Sequence, residues 1–223
     1  MMRRWLVLGL VLGAVIGSAF PAQAAAGLMP AGASFRGHDL ASWQRAYMAW
    51  ALGSAESPVV AGGCGDVVDG VFFVAPAAVP GVTELDCDVA PGTPILVLGG
   101  AVFSEIPTWG ADDAAVIADA RGGWSTATEH SVTVDGTAYS LDGYDREAGV
   151  YDIWIEGGSV EDVQCATLTP PCQIDFEPPG PVRLATVGAF AFVRPMSPGD
   201  HTIVATTRIF GIELTADVTI HVG

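Results

Sequence analysis

The chain has 223 residues, 25 of them Asp or Glu against 9 Lys or Arg, for a formal net charge of −16, and half of it is hydrophobic. Nucleic acids and anionic membrane surfaces are held by basic patches, so this balance excludes both as principal partners. The length suits one domain that buries roughly 70 percent of its unfolded surface without a metal.

The opening stretch, MMRRWLVLGLVLGAVIGSAFPAQA, sets Arg3 and Arg4 before an apolar run from Trp5 to Phe20, a break at Pro21 and a small-x-small Ala22-Gln23-Ala24. This three-part pattern predicts an export signal over residues 1–24, cleaved after Ala24, set against an uncleaved anchor, and a single secreted domain over 25–223. No second long apolar run follows, so no membrane attachment is expected once the signal is removed.

From Asp39 to Leu52, apolar Leu40, Trp43, Tyr47 and Trp50 recur at intervals of three and four, which predicts a helix over 39–52 with its tryptophans turned inward. Gly or Pro bounds the β-branched and aromatic runs Val71–Ala75 and Pro94–Leu98, as expected of buried strands. Cys64 and Cys87 lie before and between these runs, and Cys165 and Cys172 further on. Four cysteines in an exported chain predict disulfides. The closely spaced C-x2-4-C pairs of a zinc site are missing. Of three pairings, Cys64–Cys87 with Cys165–Cys172 closes a loop between strands in each case. The first bridge is expected to tie the start of one strand to the start of the next.

Asp112-Asp113, Arg121 and Gly122-Gly123 are start and stop signals for a second helix over 112–121. Ser131–Val134 and Thr137–Leu141 alternate around Asp135-Gly136, a strong hairpin signal. In the next run, Val150–Glu156, apolar Tyr151, Ile153 and Ile155 alternate with Asp152, Trp154 and Glu156. Trp154 and Glu156 therefore fall on the polar face, leading into an irregular Pro-rich segment, 157–181, and they are the candidate binding residues. Leu184–Val193 is apolar on both faces, as in a central strand. Alternation over His201–Thr207 and Leu214–Val222 predicts a terminal antiparallel hairpin. About eight strands and two helices result, a mainly β chain expected to form a β-sandwich with two added helices.

The segments Gly63-Cys64-Gly65, Val71–Ala75, Cys87–Gly92, Val134-Asp135-Gly136, Tyr144-Asp145-Arg146 and Met196–Ile203, with Trp43 and Trp50, together resemble a group of uncharacterised secreted β-rich microbial proteins of actinobacterial type. The closing Pro-Gly-Asp-His-Thr-Ile, Pro198–Ile203, also resembles the last strands of bacterial immunoglobulin-like domains. The resemblance implies secretion and an immunoglobulin-like sandwich, and carries no activity or site. The chain departs from the group at Phe72, where Trp is expected, and at Leu85-Asp86, where Arg is expected before the second cysteine.

His38, His130, His201 and His221 are far apart, and neither a G-x-S-x-G elbow nor an H-E-x-x-H helix occurs. His201 follows a Pro-Gly turn, where it is expected to bond back to the loop backbone. Asp142, Asp145 and Glu147 cluster on one loop as candidate calcium ligands, set against solvated acids paired with Arg146. No other cofactor is expected. The sequence favours a secreted protein that binds an extracellular protein, surface or polysaccharide through loops. Its rival, a hydrolase of unrecognised type, requires acidic and histidine side chains converging in a cleft.

Overall fold

A computed structural model describes residues 27–53, 63–155 and 180–223. Helix α1 is Leu40–Gly53 and helix α2 Asp113–Trp124. The strands are β1 Gly65–Val68, β2 Val71–Val74, β3 Gly81–Val89, β4 Ile95–Ile106, β5 Glu129–Val134, β6 Thr137–Ser140, β7 Asp145–Ile155, β8 Gly180–Val193, β9 Gly199–Ile209 and β10 Ile212–Val222.

They form two five-stranded sheets, β1-β2-β4-β8-β7 and β3-β10-β9-β5-β6. Most neighbours are antiparallel, while β2–β4 and β3–β10 are parallel. Between the sheets lies a core that includes Phe72, Ile95, Val97 and Ala191 from one side and Val132, Ile203, Val218 and Ile220 from the other. β8 lies between β4 and β7, and its residues Leu184 to Val193 are all buried, as the two-faced apolar run predicts. Ala189, Ala191 and Val193 face the second sheet, whereas Leu184, Phe190 and Phe192 face α1.

The α1 helix starts where the Asp39 carboxylate accepts from the Ser42 N–H at 2.8 Å and the Ser42 hydroxyl at 2.6 Å. Those two bonds hold the carboxyl below its usual range. Trp43 is buried edge-on to Phe73 and Phe192, and the Tyr47 hydroxyl donates to the Val74 carbonyl at 2.6 Å. Burial pushes the Tyr47 phenol well up, so it stays a neutral donor.

In α2, Val116 and Ala120 pack on Ala185 and Val187 of β8. These two lie on the same face of β8 as Ala189 and Ala191, so α2 continues the inner layer where the second sheet stops covering it. Its N-terminus is capped by Asp112, which accepts from the Ala115 N–H. Arg183 donates to Asp113 at 2.8 and 2.9 Å and to Asp152 at 3.2 Å, and Arg121 at the other end meets Glu147 at 2.5 and 3.0 Å. These exposed pairs position the helix more than they stabilise it.

Ten strands stand among the described residues where about eight are expected. The additions include β1 and β3, and β3 shows the alternation that its acidic residues disguise: Glu84, Asp86 and Asp88 point outward, Cys87 and Val89 inward. β4 does not end at Gly99-Gly100. It passes through them with a bulge and runs on to Ile106. Likewise α2 continues through Gly122-Gly123 to Trp124.

Candidate functional site

β2 has only four residues and pairs with β4 at Ile95 and Leu96 alone. Among the described residues no strand covers that side of β4 further along, and a cleft of about 400 Å³ opens there. β4 contributes Ala101, Val102 and Phe103 to it, and Ala78 and Pro80 come from the segment before β3. Ile209, Phe210, Ile212 and Leu214 come from the β9–β10 tip; Asp119, Gly122 and Gly123 come from α2. Trp109, in the turn after β4, completes the lining. A smaller recess of about 100 Å³ adjoins it, the two sharing Ala78, Ala101, Phe103 and Leu214. That recess reaches between Tyr47 and Met48 of α1 and Ala205 and Thr207 of β9.

Two aromatic residues at the cleft are exposed, Trp109 at 43 percent and Phe210 at 61 percent. Phe210 and Gly211 form the two-residue turn of the β9–β10 hairpin with φ of 54° and 76°. Both angles suit a type I′ turn, in which Asn or Gly is the usual first residue. A bulky aromatic residue there stores backbone strain, a condition that clusters at functional positions. The turn is tied to the end of α2 by the Phe210 N–H, which donates to the Thr126 hydroxyl at 3.0 Å, and Thr126 in turn donates to the Gly123 carbonyl. Among the described residues Asp119 is the only charged one in the lining, and one of its oxygens accepts from the Ser104 hydroxyl at 2.6 Å. The Thr207 hydroxyl, buried at the recess, has no hydrogen-bond partner among the described residues.

Trp154 is 58 percent exposed on β7, as its alternation predicts, and lines neither cavity. Glu156, the segment 157–179, Cys165, Cys172 and the export signal lie outside the described residues. Cys64 and Cys87 are bridged. Cys64 precedes β1 and Cys87 sits near the end of β3, so the bond joins the two sheets instead of the starts of successive strands. Of the calcium candidates, Glu147 is engaged by Arg121, while Asp142 and Asp145 lie 3.6 and 3.8 Å from His130. Among the described residues no group of three or more His, Cys, Asp or Glu side chains is placed to hold a metal ion.

One cluster has the composition of a hydrolase site. His201 Nδ1 is 2.8 Å from Asp135 and Nε2 is 3.4 Å from the Ser197 hydroxyl. Nε2 is closer, at 2.9 Å, to the Ser197 carbonyl, an acceptor only, so Nε2 carries a proton and cannot take one from the serine. Burial by itself lowers the His201 pKa, but bonding to Asp135 and to that carbonyl outweighs it and the net shift is upward. The imidazole, bonded on both sides, pins the corner between the β5–β6 turn and β9. None of the three residues lines either cavity.

No family model matches the chain, and no curated protein matches it. Among solved structures it is similar to PbICP-C in complex with falcipain-2, with 8% identity over 68% of this chain and 97% of that one and a TM-score of 0.26. It is also similar to Amebosin in solution, with 9% identity over 64% and 96% and a TM-score of 0.20. Neither likeness is strong enough to bear on fold or function.

Proposed function

We propose that this is an exported, non-catalytic β-sandwich protein, immunoglobulin-like in kind, that binds an extracellular ligand in the cleft between α2 and the β9–β10 tip. The observation that carries this is an apolar cleft flanked by two exposed aromatic side chains, one of them on a strained turn. Recognition sites are concave, mainly apolar and furnished with few polar groups. The inter-sheet bridge supports an oxidising compartment, and the β9–β10 hairpin with its pinned His201 corner supports the immunoglobulin-like reading.

The hydrolase reading is tested on the Ser197–His201–Asp135 cluster. The purified protein is incubated with chromogenic esters, glycosides and peptides, beside Ser197→Ala and His201→Gln. Binding without catalysis predicts no turnover that either substitution removes. Turnover lost in both folded variants would overturn the proposal.

A further inference from the structure

α2 carries two consecutive glycines in its last turn, where each weakens a helix relative to alanine. Gly123 has a packing reason, because a Cβ there would stand 2.8 Å from Val102 Cγ1 and 3.0 Å from Phe210 Cζ. Gly122 has none. A Cβ there meets nothing within 4 Å, and its backbone is not left-handed. Gly122 borders the cleft, and the space beside it is open to a larger side chain.

The walls also define what fits. Among the described residues the only charge in the lining is the Asp119 carboxylate, in a protein whose net charge is −16, so an anionic ligand is repelled. A volume of about 400 Å³ lies within the range of small-molecule sites. The adjoining recess is bordered by Gly99, Gly100 and Thr207. A Cβ on Gly100 would stand 2.7 Å from the Thr207 hydroxyl oxygen, so glycine is needed beside it. That hydroxyl is desolvated without a partner among the described residues, a deficit that a ligand donor or acceptor removes.

We infer that the cleft takes an uncharged, mainly apolar small molecule with one hydrogen-bonding group, which passes Trp109 and Phe210 and sets that group in the recess at Thr207. The inference rests on the cleft being the binding site and adds the chemistry of its ligand.

The test uses the exported form of the chain with the Cys64–Cys87 bridge formed and 1,6-diphenyl-1,3,5-hexatriene, an uncharged hydrocarbon fluorophore with no hydrogen-bonding group, as the probe. Probe fluorescence is expected to rise on binding, and 1-decanol to displace it at about tenfold lower concentration than decanoate. Gly122→Leu, with circular dichroism and thermal midpoint intact, is expected to weaken the probe at least about tenfold, and Gly122→Ala to leave it within about twofold. Thr207→Val, which removes the hydroxyl and keeps the shape, is expected to weaken decanol about tenfold more than it weakens the hydrocarbon probe. Displacement by decanoate or decyltrimethylammonium in preference to decanol, still blocked by Gly122→Leu, would overturn the ligand class and leave the cleft as the site. Decanol affinity unchanged in Thr207→Val would overturn the placement of the polar group. Probe binding that ignores Gly122→Leu would overturn the cleft as well.

Discussion

Cys64 and Cys87, with Cα atoms 5.4 Å apart, fasten the edge of one sheet to the edge of the other. Cys64 leads into β1 and Cys87 belongs to β3, and each strand lies at the end of its sheet order. The segment between the cysteines contains β2, whose Val71 and Phe73 face α1 while Phe72 and Val74 face the inter-sheet core.

Removing that bridge by a paired Cys64→Ala and Cys87→Ala substitution should cost about 3 kcal/mol, the chain-entropy value for a loop of this size. Denaturant unfolding of the pair against the parent, with the slope unchanged, measures it. A loss well under about 1 kcal/mol would mean that β1 and β3 are held by their pairing alone.

Gly188 and Gly122 should respond with opposite signs. A Cβ on Gly188 would stand 2.5 Å from the Gly100 carbonyl oxygen and 2.6 Å from Ala101 Cβ, both at the β4 bulge and unable to swing aside. Gly188→Ala should therefore destabilise by about 1–3 kcal/mol, whereas Gly122→Ala, in open helix, should gain roughly 0.5–1 kcal/mol. Thermal unfolding of the two variants checks both signs, and equal effects would contradict the bulge geometry.

Much of the sandwich is legible in the sequence, because hydrophobic periodicity, apolar runs and turn residues are local signals. The Asp135-Gly136 hairpin, the terminal hairpin, the two-faced strand at Leu184–Val193 and the inward face of α1 all rest on such signals. β3 escaped because its outward positions carry acids, and its parallel partner β10 lies more than a hundred residues away. Glycine pairs misled twice: Gly99-Gly100 marks a bulge within one strand, and Gly122-Gly123 lies inside a helix. The cleft was out of reach, since α2, β4 and the β9–β10 tip meet only through tertiary packing. The one local hint was Phe210 before Gly211 between alternating runs, an aromatic residue in a turn position that favours Asn or Gly.

Gln44 should be a site of easy stabilisation. It is fully buried on α1, and among the described residues neither its amide nitrogen nor its amide oxygen has a hydrogen-bond partner. Gln44→Met keeps the volume and removes two desolvated polar atoms, so it should raise stability by about 1–2 kcal/mol. Denaturant midpoints test this, and a loss in Gln44→Met would show that the amide is satisfied in solution.

The histidine corners predict how stability follows pH. His201 is flanked by Asp135 and the Ser197 carbonyl, and His221 bridges Asp200 and Asp86 at 2.8 Å each. For His201, burial opposes charging but the carboxylate and carbonyl prevail; for His221 the Asp200 hydrogen bond leads. Both pKa values are raised above the ordinary 6.5. A raised folded pKa means the native state binds the proton more tightly than the unfolded chain. Each contribution is therefore complete below pH 6.5 and is lost as pH rises through the folded pKa. The thermal midpoint should fall as pH climbs from 6.5. Deprotonation also deepens the −16 charge of the chain, which pushes the same way, so the parent profile cannot separate the two causes. His201→Gln and His221→Gln separate them: each should start lower at pH 6 and follow a flatter slope, converging on the parent above the folded pKa. Parallel profiles for parent and both variants would rule out the histidine–carboxylate pairs as the source of the pH dependence.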